Sequence, residues 1–342
     1  MVRAGVLTGG GDSPGINAAL RSIVRFGATQ NVEIFGFLEG WRGPMENLVQ
    51  PLTLADVSGI LHMGGTILGS SRTNPFRVDG APEQLVENLA LNDIDFLIAI
   101  GGDDTMGVAH RLADYGVKAV GIPQTIDNDI AMTDYTLGFF SALEAITDAL
   151  DRLHTTAASH HRVLILEVMG RDAGWLSLMG GIAGGADVIL LPEQSFSMDE
   201  VFEKIKRREM LKKRFSIIIV AEGASPDSHQ GQVLREAELD AFGHVRLGGV
   251  GQYVANGLSE RMKMPVRVTN LAYLQRGGSP SPFDRILATR FGAAAIEFAL
   301  DDRFDVMTAL RGTRIEAVPL ADALGQARPV DDWLLYLVDL FE

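Results

Sequence analysis

No cysteine occurs in the 342 residues, which excludes disulfides, thiolate catalysis and thiolate-ligated metals. Basic charge is also short: 30 lysines and arginines stand against 44 aspartates and glutamates, a formal net charge of −14. Nucleic-acid binding calls for a basic face. The one dense basic run, residues 204–214, alternates with Ile205, Met210 and Leu211 and suits the solvated side of a helix. No apolar run approaches the roughly 20 residues that span a bilayer. The opening Met1-Val2-Arg3-Ala4-Gly5-Val6-Leu7-Thr8 is too short and turns to glycine too soon for a secretion signal. Low-complexity linkers and convincing repeats are missing too. The expectation is a soluble, cytoplasmic protein with neither nucleic-acid nor membrane partners. Its length exceeds what one core usually supports, so two lobes sharing a tight cleft are expected.

What is present is an alternation. Short apolar runs predict strands at residues 4–7, 32–37, 96–100, 117–122, 163–168, 188–191, 216–221 and 266–269. Between them, apolar residues recur every three or four positions over 18–26, 85–91, 106–115, 137–153, 198–212 and 285–300, which predicts helices. Strand–helix alternation throughout argues for an α/β protein with mostly parallel sheets covered by helices. The long 137–154 segment is expected to bridge the lobes.

The chemistry-bearing residues sit where predicted strands end, the place where open α/β sheets collect ligands. Pro123-Gln124-Thr125-Ile126-Asp127-Asn128-Asp129 and Gly101-Gly102-Asp103-Asp104-Thr105 together carry four carboxylates, two threonine hydroxyls and a glycine pair. Asp and Gly also simply make turns, but two such loops after neighbouring strands favour a metal plus a proton acceptor, the equipment of phosphoryl transfer. Gly9-Gly10-Gly11-Asp12-Ser13-Pro14-Gly15 leaves the first strand and opens a helix, a phosphate cradle by backbone N–H groups and helix dipole. It also reads Gly-x-Ser-x-Gly, yet Pro14 lacks the N–H that a nucleophile elbow requires of that residue. A Walker A loop and a dinucleotide fingerprint are absent.

Further along, Gly64-Gly65-Thr66-Ile67-Leu68-Gly69-Ser70-Ser71-Arg72 ends in a guanidinium able to fork onto phosphate. Met169-Gly170-Arg171-Asp172-Ala173-Gly174, Ala221-Glu222-Gly223 and Tyr273-Leu274-Gln275-Arg276-Gly277-Gly278-Ser279-Pro280 follow later strands. His160 and His161 lack a third metal ligand at suitable spacing. Arg21 and Arg25 read as a solvated helix face, with a relic of an effector-anion site as the alternative. Scattered arginines at strand ends suit an anionic, phosphorylated substrate.

Taken in order, these segments resemble the 6-phosphofructokinase family from Gly5 to about Phe298. Residues 195–266 look longer than in its compact bacterial members. The resemblance implies two lobes: a larger phosphoryl-donor lobe of residues 1–140 plus about 275–325, and a smaller sugar-phosphate lobe of about 141–274 plus 326–342. The active site would lie in the cleft between them. It implies Mg²⁺-dependent phosphoryl transfer to the 1-hydroxyl of fructose 6-phosphate. Asp127 would be the base, Thr125 and Asp129 would arrange the same centre, and Asp103 would be the Mg²⁺-linked carboxylate. Gly11, Arg72, Asp104, Thr105 and Gln124 would face the donor, with Arg171 on the charge of the transition state. Met169, Gly170, Glu222, Tyr273 and Arg276 would contact the sugar phosphate. Arg162 and Arg267 match residues lent across a subunit interface, which implies a homodimer or homotetramer.

Asp104 bears on the donor. ATP-using members resemble Gly-Gly-Asp-Gly there, and a carboxylate adds bulk and charge where a nucleotide α-phosphate passes. Pyrophosphate lacks that group, so Asp104 resembles the pyrophosphate-dependent branch. Gln124 departs from it, since those enzymes usually carry lysine at that position. An ATP-dependent 6-phosphofructokinase is the first alternative. A catalytically silent sugar-phosphate-binding subunit is the second, and a Rossmann dehydrogenase lacks a suitable ribose-binding acid.

Overall fold

A computed structural model describes residues 2–227, 234–236 and 246–341; part of the 195–266 segment lies outside the described residues. The strands are β1 (Val2–Thr8), β2 (Val32–Phe37), β3 (Val49–Leu52), β4 (Phe96–Gly101), β5 (Ala119–Pro123), β6 (Val163–Val168), β7 (Val188–Leu190), β8 (Ser216–Ala221), β9 (Leu234–Glu236), β10 (Arg246–Leu247), β11 (Val266–Asn270), β12 (Val306–Arg311) and β13 (Arg314–Pro319). The helices are α1 (Ile16–Thr29), α2 (Arg42–Glu46), α3 (Ala81–Leu91), α4 (Asp103–Leu112), α5 (Phe139–His160), α6 (Trp175–Ala183), α7 (Met198–Met210), α8 (Val250–Ser259), α9 (Pro282–Leu300), α10 (Leu320–Ala323) and α11 (Asp332–Phe341).

They build two sheets. The seven-stranded sheet has the order β13-β12-β5-β4-β1-β2-β3, and the four-stranded one β11-β6-β8-β7. All pairings in the smaller sheet are parallel. In the larger one, β12-β5-β4-β1-β2 is parallel and each edge is closed by an antiparallel neighbour. β9 and β10 pair antiparallel on their own.

Alternation along each strand divides the core. On β4, Phe96, Ile98 and Ile100 pack under α1 and α9, whereas Leu97 and Ala99 pack under α3 and α4. On β6, Leu164, Leu166 and Val168 face α5 and α6, and Val163 and Ile165 face α7 and α8. Burial on both faces explains why these strands read as continuous apolar runs.

Several boundaries differ from the sequence reading. β3 and the β12–β13 hairpin extend the larger sheet beyond the predicted strands. β3 holds Pro51, tolerated because the strand is an edge with no further neighbour. The hairpin turns at Gly312, whose φ is +58°. α6, α8 and α11 were not predicted either; α6 carries two glycines and its apolar residues surround it too evenly to show a stripe. The most consequential shift is at α4, which begins at Asp103 rather than near residue 106. Asp103 and Asp104 therefore occupy the first turn of a helix, where the dipole favours negative charge. Among the described residues no helix is long and apolar enough to cross a membrane.

α5 starts beside the larger sheet and packs its Phe139, Ile146 and Leu150 face on the smaller one. Its start is pinned by Asp284 at the N-terminus of α9. That buried carboxylate accepts hydrogen bonds from Gly138 N (2.9 Å), Ser141 N (2.7 Å), Ser141 Oγ (2.5 Å) and Ser281 Oγ (3.1 Å). Burial pushes its pKa upward while these donors hold it down. Asp284→Ala orphans several buried donors together and is expected to cost about 2–4 kcal/mol. A urea midpoint equal to wild type would contradict this role.

Candidate active site

Three adjacent strands of the larger sheet, β1, β4 and β5, end side by side. Their exits are stitched by backbone bonds: Gly9 N donates to Ile100 O (2.9 Å) and Gln124 N to Gly101 O (3.0 Å). The glycine loop after β1, the start of α4 and the 124–129 loop are thereby held against one another. Thr105 fills the space between them, and a Cβ on Gly101 would lie 2.5 Å from the Thr105 Cβ. Trp41 fixes that turn from behind, donating from Nε1 to Thr105 O (3.2 Å).

These elements line a pocket of about 300 Å³. Gly11, Arg72, Asp103, Asp104, Thr105, Gln124, Thr125, Asp127, Asp129, Arg171 and Arg276 of the expected residues all face it. Arg171 enters from the smaller sheet, on the loop after β6, and its φ of +49° turns it out of the strand direction. Arg276 reaches the first glycine loop, donating from Nη1 to Asp12 O (3.1 Å). A Cβ on Gly11 would stand 2.7 Å from that same nitrogen, so any larger residue there would push the Arg276 guanidinium aside.

The other expected residues lie elsewhere. Glu222 follows β8 and accepts from Arg171 N (3.4 Å). Met169 N donates to the buried Gln275 Oε1 (3.2 Å), and Gly170 follows at a φ of +137°. Arg162 precedes β6 and Arg267 lies on β11, the neighbouring edge strand of the smaller sheet. Tyr273 is exposed. Asp172 and the segment Gly325, Gln326 and Ala327 line the pocket without having been singled out from sequence. Asp172 sat inside a motif already under scrutiny, whereas residues 325–327 carry no charge or motif that could have marked them.

The electrostatics set the problem that the site must solve. Burial, and next the charge of Asp127, push the Asp129 carboxyl up to about 7; Asp103 adds to the rise and Arg171 opposes it. Burial and then Asp127 likewise push Glu222 up to about 7, against the Arg171 backbone bond and the charges of Arg276 and Arg171. Asp127 is buried, its N donates to Thr125 Oγ1 (3.2 Å), and its Oδ1 has no hydrogen-bond partner. Gln124 turns inward, with Nε2 donating to Gly11 O (3.0 Å) and Ser13 Oγ (2.9 Å). Both amide hydrogens brace the glycine loop, leaving none for a ligand in the pocket.

Residues 3–299 match the phosphofructokinase family. The chain is 52% identical over 331 residues to the pyrophosphate–fructose 6-phosphate 1-phosphotransferase of Amycolatopsis methanolica, covering 96% of each. It is 46% identical over 332 residues to ATP-dependent 6-phosphofructokinase 3 of Streptomyces coelicolor, covering 97% of each. Among solved structures, the pyrophosphate-dependent phosphofructokinase of Nitrosospira multiformis shares the fold, with a TM-score of 0.85 and 24% identity over 96% of this chain and 86% of that one.

The sign of the Glu222 shift makes a prediction. Between pH 4.5 and about 7 the folded protein holds a proton that the unfolded chain has released. The stability tied to that proton is complete below pH 4.5 and lost as pH rises through 7. Glu222→Gln is therefore expected to raise the thermal midpoint of ligand-free protein at pH 8, with a smaller gain at pH 5.5. An equal gain at both pH values would contradict a proton held there. The pocket, its strand-end loops and the extent of the match agree, and the chain belongs to the phosphofructokinase family.

Proposed function

We propose that the protein is a Mg²⁺-dependent phosphotransferase that moves a phosphoryl group from pyrophosphate to the 1-hydroxyl of fructose 6-phosphate, reversibly. The observation that carries this reading is one pocket holding Asp103, Thr125, Asp127, Asp129 and Arg171 together. Family membership supplies the reaction class, and the Amycolatopsis enzyme supports the donor.

In this reading Asp127 accepts the proton of the 1-hydroxyl as its oxygen bonds to phosphorus. The bridging P–O bond of pyrophosphate breaks and inorganic phosphate leaves. The unpartnered Asp127 Oδ1 is free for that proton, and Thr125 Oγ1 fixes the backbone of the base from below. Arg171, with Arg72 and Arg276 across the pocket, meets the charge on the equatorial oxygens. Met169, Gly170, Glu222 and Tyr273 take the sugar side. Arg162 and Arg267 serve a neighbouring copy's site, so the working unit is a homodimer or homotetramer. The two sheets are the cores of a donor lobe and a sugar-phosphate lobe with the boundaries given above, and the enzyme works in the cytoplasm.

The pocket fits Mg²⁺ as far as its donors go. Among the described residues no group of three acids or histidines forms a metal cage. Mg²⁺ is usually held by one or two carboxylates together with substrate phosphates. Asp103 supplies hard oxygens of that kind, and Asp129, raised to about 7 by burial first and then by the charges of Asp127 and Asp103, lines the same pocket. Asp103 would hold the ion, whose bound charge would offset negative charge developing on the donor oxygens.

Asp104 narrows the donor. It lines the pocket from the first turn of α4, and in this reading its carboxylate obstructs the path that a third phosphate and a nucleoside would take. A second reading, ATP as donor, draws on the Streptomyces relative and on Gln124, which offers the donor no cation.

The test is Asp127→Ala. Removing the base is expected to lower kcat by about 10²–10⁴-fold, while fructose 6-phosphate binding measured by calorimetry stays within about threefold of wild type. Retained activity would remove Asp127 from the reaction. Lost binding together with lost activity would make it a sugar ligand instead.

A further inference from the structure

The segment that sequence reading overlooked is tied to the reacting groups by backbone and side chain. Gly325 N donates to Asp103 Oδ1 (3.2 Å). Ala327 pairs with Ile130 in an isolated antiparallel bridge. Arg328 N donates to the carbonyl of Asp129 (2.6 Å). Residues 325–327 thus form a wall of the donor pocket and clasp the loop that carries Asp127 and Asp129.

The Arg328 side chain extends that clasp in two directions. Its Nη1 donates to the carbonyls of Thr133 (3.0 Å) and Asp134 (2.5 Å), farther along the same loop. Its guanidinium lies over the ring of Trp175, 4.5 Å from the centroid, and the Trp175 Nε1 donates back to Arg328 O (3.1 Å). Trp175 is buried and is the first residue of α6, directly after the loop that carries Arg171. One residue therefore joins the loop of the proposed base to the start of the helix behind the proposed transition-state cation.

We propose that Arg328 is a positioning residue for phosphoryl transfer, and that it sets the spacing between Asp127 and Arg171 across the pocket. This rests on the reading of the pocket given above. Phosphoryl transfer gains most of its rate from placement, and misplacement by about 1 Å can cost about 10²-fold. The planar fork matters as much as the charge. Both carbonyl bonds come from Nη1; a lysine at 328 would keep the cation and could donate to the same carbonyls, but it has no planar face to lie on the indole at the same time.

The experiment measures fructose 1,6-bisphosphate formation by wild type, Arg328→Lys, Arg328→Ala, Trp175→Phe and the Arg328→Lys/Trp175→Phe pair, with Mg²⁺ and the donor that wild type uses. Circular dichroism would set the folded fraction of each. Per folded molecule, Arg328→Lys is expected to lose about 10-fold in kcat and Arg328→Ala about 10–100-fold. The KM for fructose 6-phosphate should stay within about twofold, and the double variant should be no slower than Arg328→Lys alone, because both break one linkage. A kcat per folded molecule within twofold of wild type for Arg328→Lys would overturn the proposal and leave Arg328 a structural tie. So would multiplicative losses in the double variant. Should Arg328→Ala fail to fold, Arg328→Lys and Trp175→Phe still decide. Wild type inactive with both pyrophosphate and ATP would overturn the reading of the pocket, and this inference with it.

Discussion

Five aspartates line a partly buried pocket that, in the proposed reaction, must also receive an anion. Mutual repulsion among carboxylates is the constraint around which the site is arranged. Burial, and next the charge of Asp127, push both Asp129 and Glu222 up to about 7. Two features of the structure oppose this repulsion. Asp103 and Asp104 sit on the first turn of α4, where the helix dipole favours negative charge. Arg72, Arg171 and Arg276 converge from separate segments. In the proposed reaction a divalent cation would offset part of the remaining charge, while the donor phosphates would add to it.

The fold serves this arrangement by bringing strand ends to one place. β1, β4 and β5 deliver the first glycine loop, the acids at the start of α4 and the loop of the proposed base on adjacent strands. β6 delivers Arg171 from the second sheet. Asp284 ties α5 to α9 at the point where the chain passes between the sheets, and Arg328 ties the 125–134 loop to α6. Asp127 and Arg171, the proposed proton acceptor and transition-state cation, therefore come from different sheets, and long-range ties such as those of Arg328 join the elements that carry them.

How much of this was legible depends on the range of the interactions. β4 and β6, buried on both faces, announce themselves as unbroken apolar runs, and the acids after β4 and β5 stand out because glycine and aspartate cluster there. The start of α4 at Asp103 was hidden because the same residues make good turns; the structure decides by giving Gly102 extended backbone geometry as the N-cap. β12 and β13 flank the Gly312 turn, but β12 is buried at Met307, Thr308, Ala309 and Leu310 and shows no period-two pattern that would mark it as a strand. The wall formed by residues 325–327 could not be read at all. Its attachments, to the Asp103 carboxylate and the Asp129 carbonyl some 200 positions earlier, are made by backbone N–H groups, which leave no trace in sequence.

Donor choice is the point on which the chemistry of the pocket turns, since Asp104 argues for pyrophosphate and Gln124 withholds the cation that would favour it. The decisive measurement is the kcat/KM for fructose 1,6-bisphosphate formation by purified wild type with Mg²⁺, comparing pyrophosphate with ATP. A preference for pyrophosphate of about 10²-fold or more is the predicted result, equivalent to about 3 kcal/mol of discrimination. Equal or better use of ATP would mean that the nucleotide clears the Asp104 carboxylate, and the account of donor selection would be wrong.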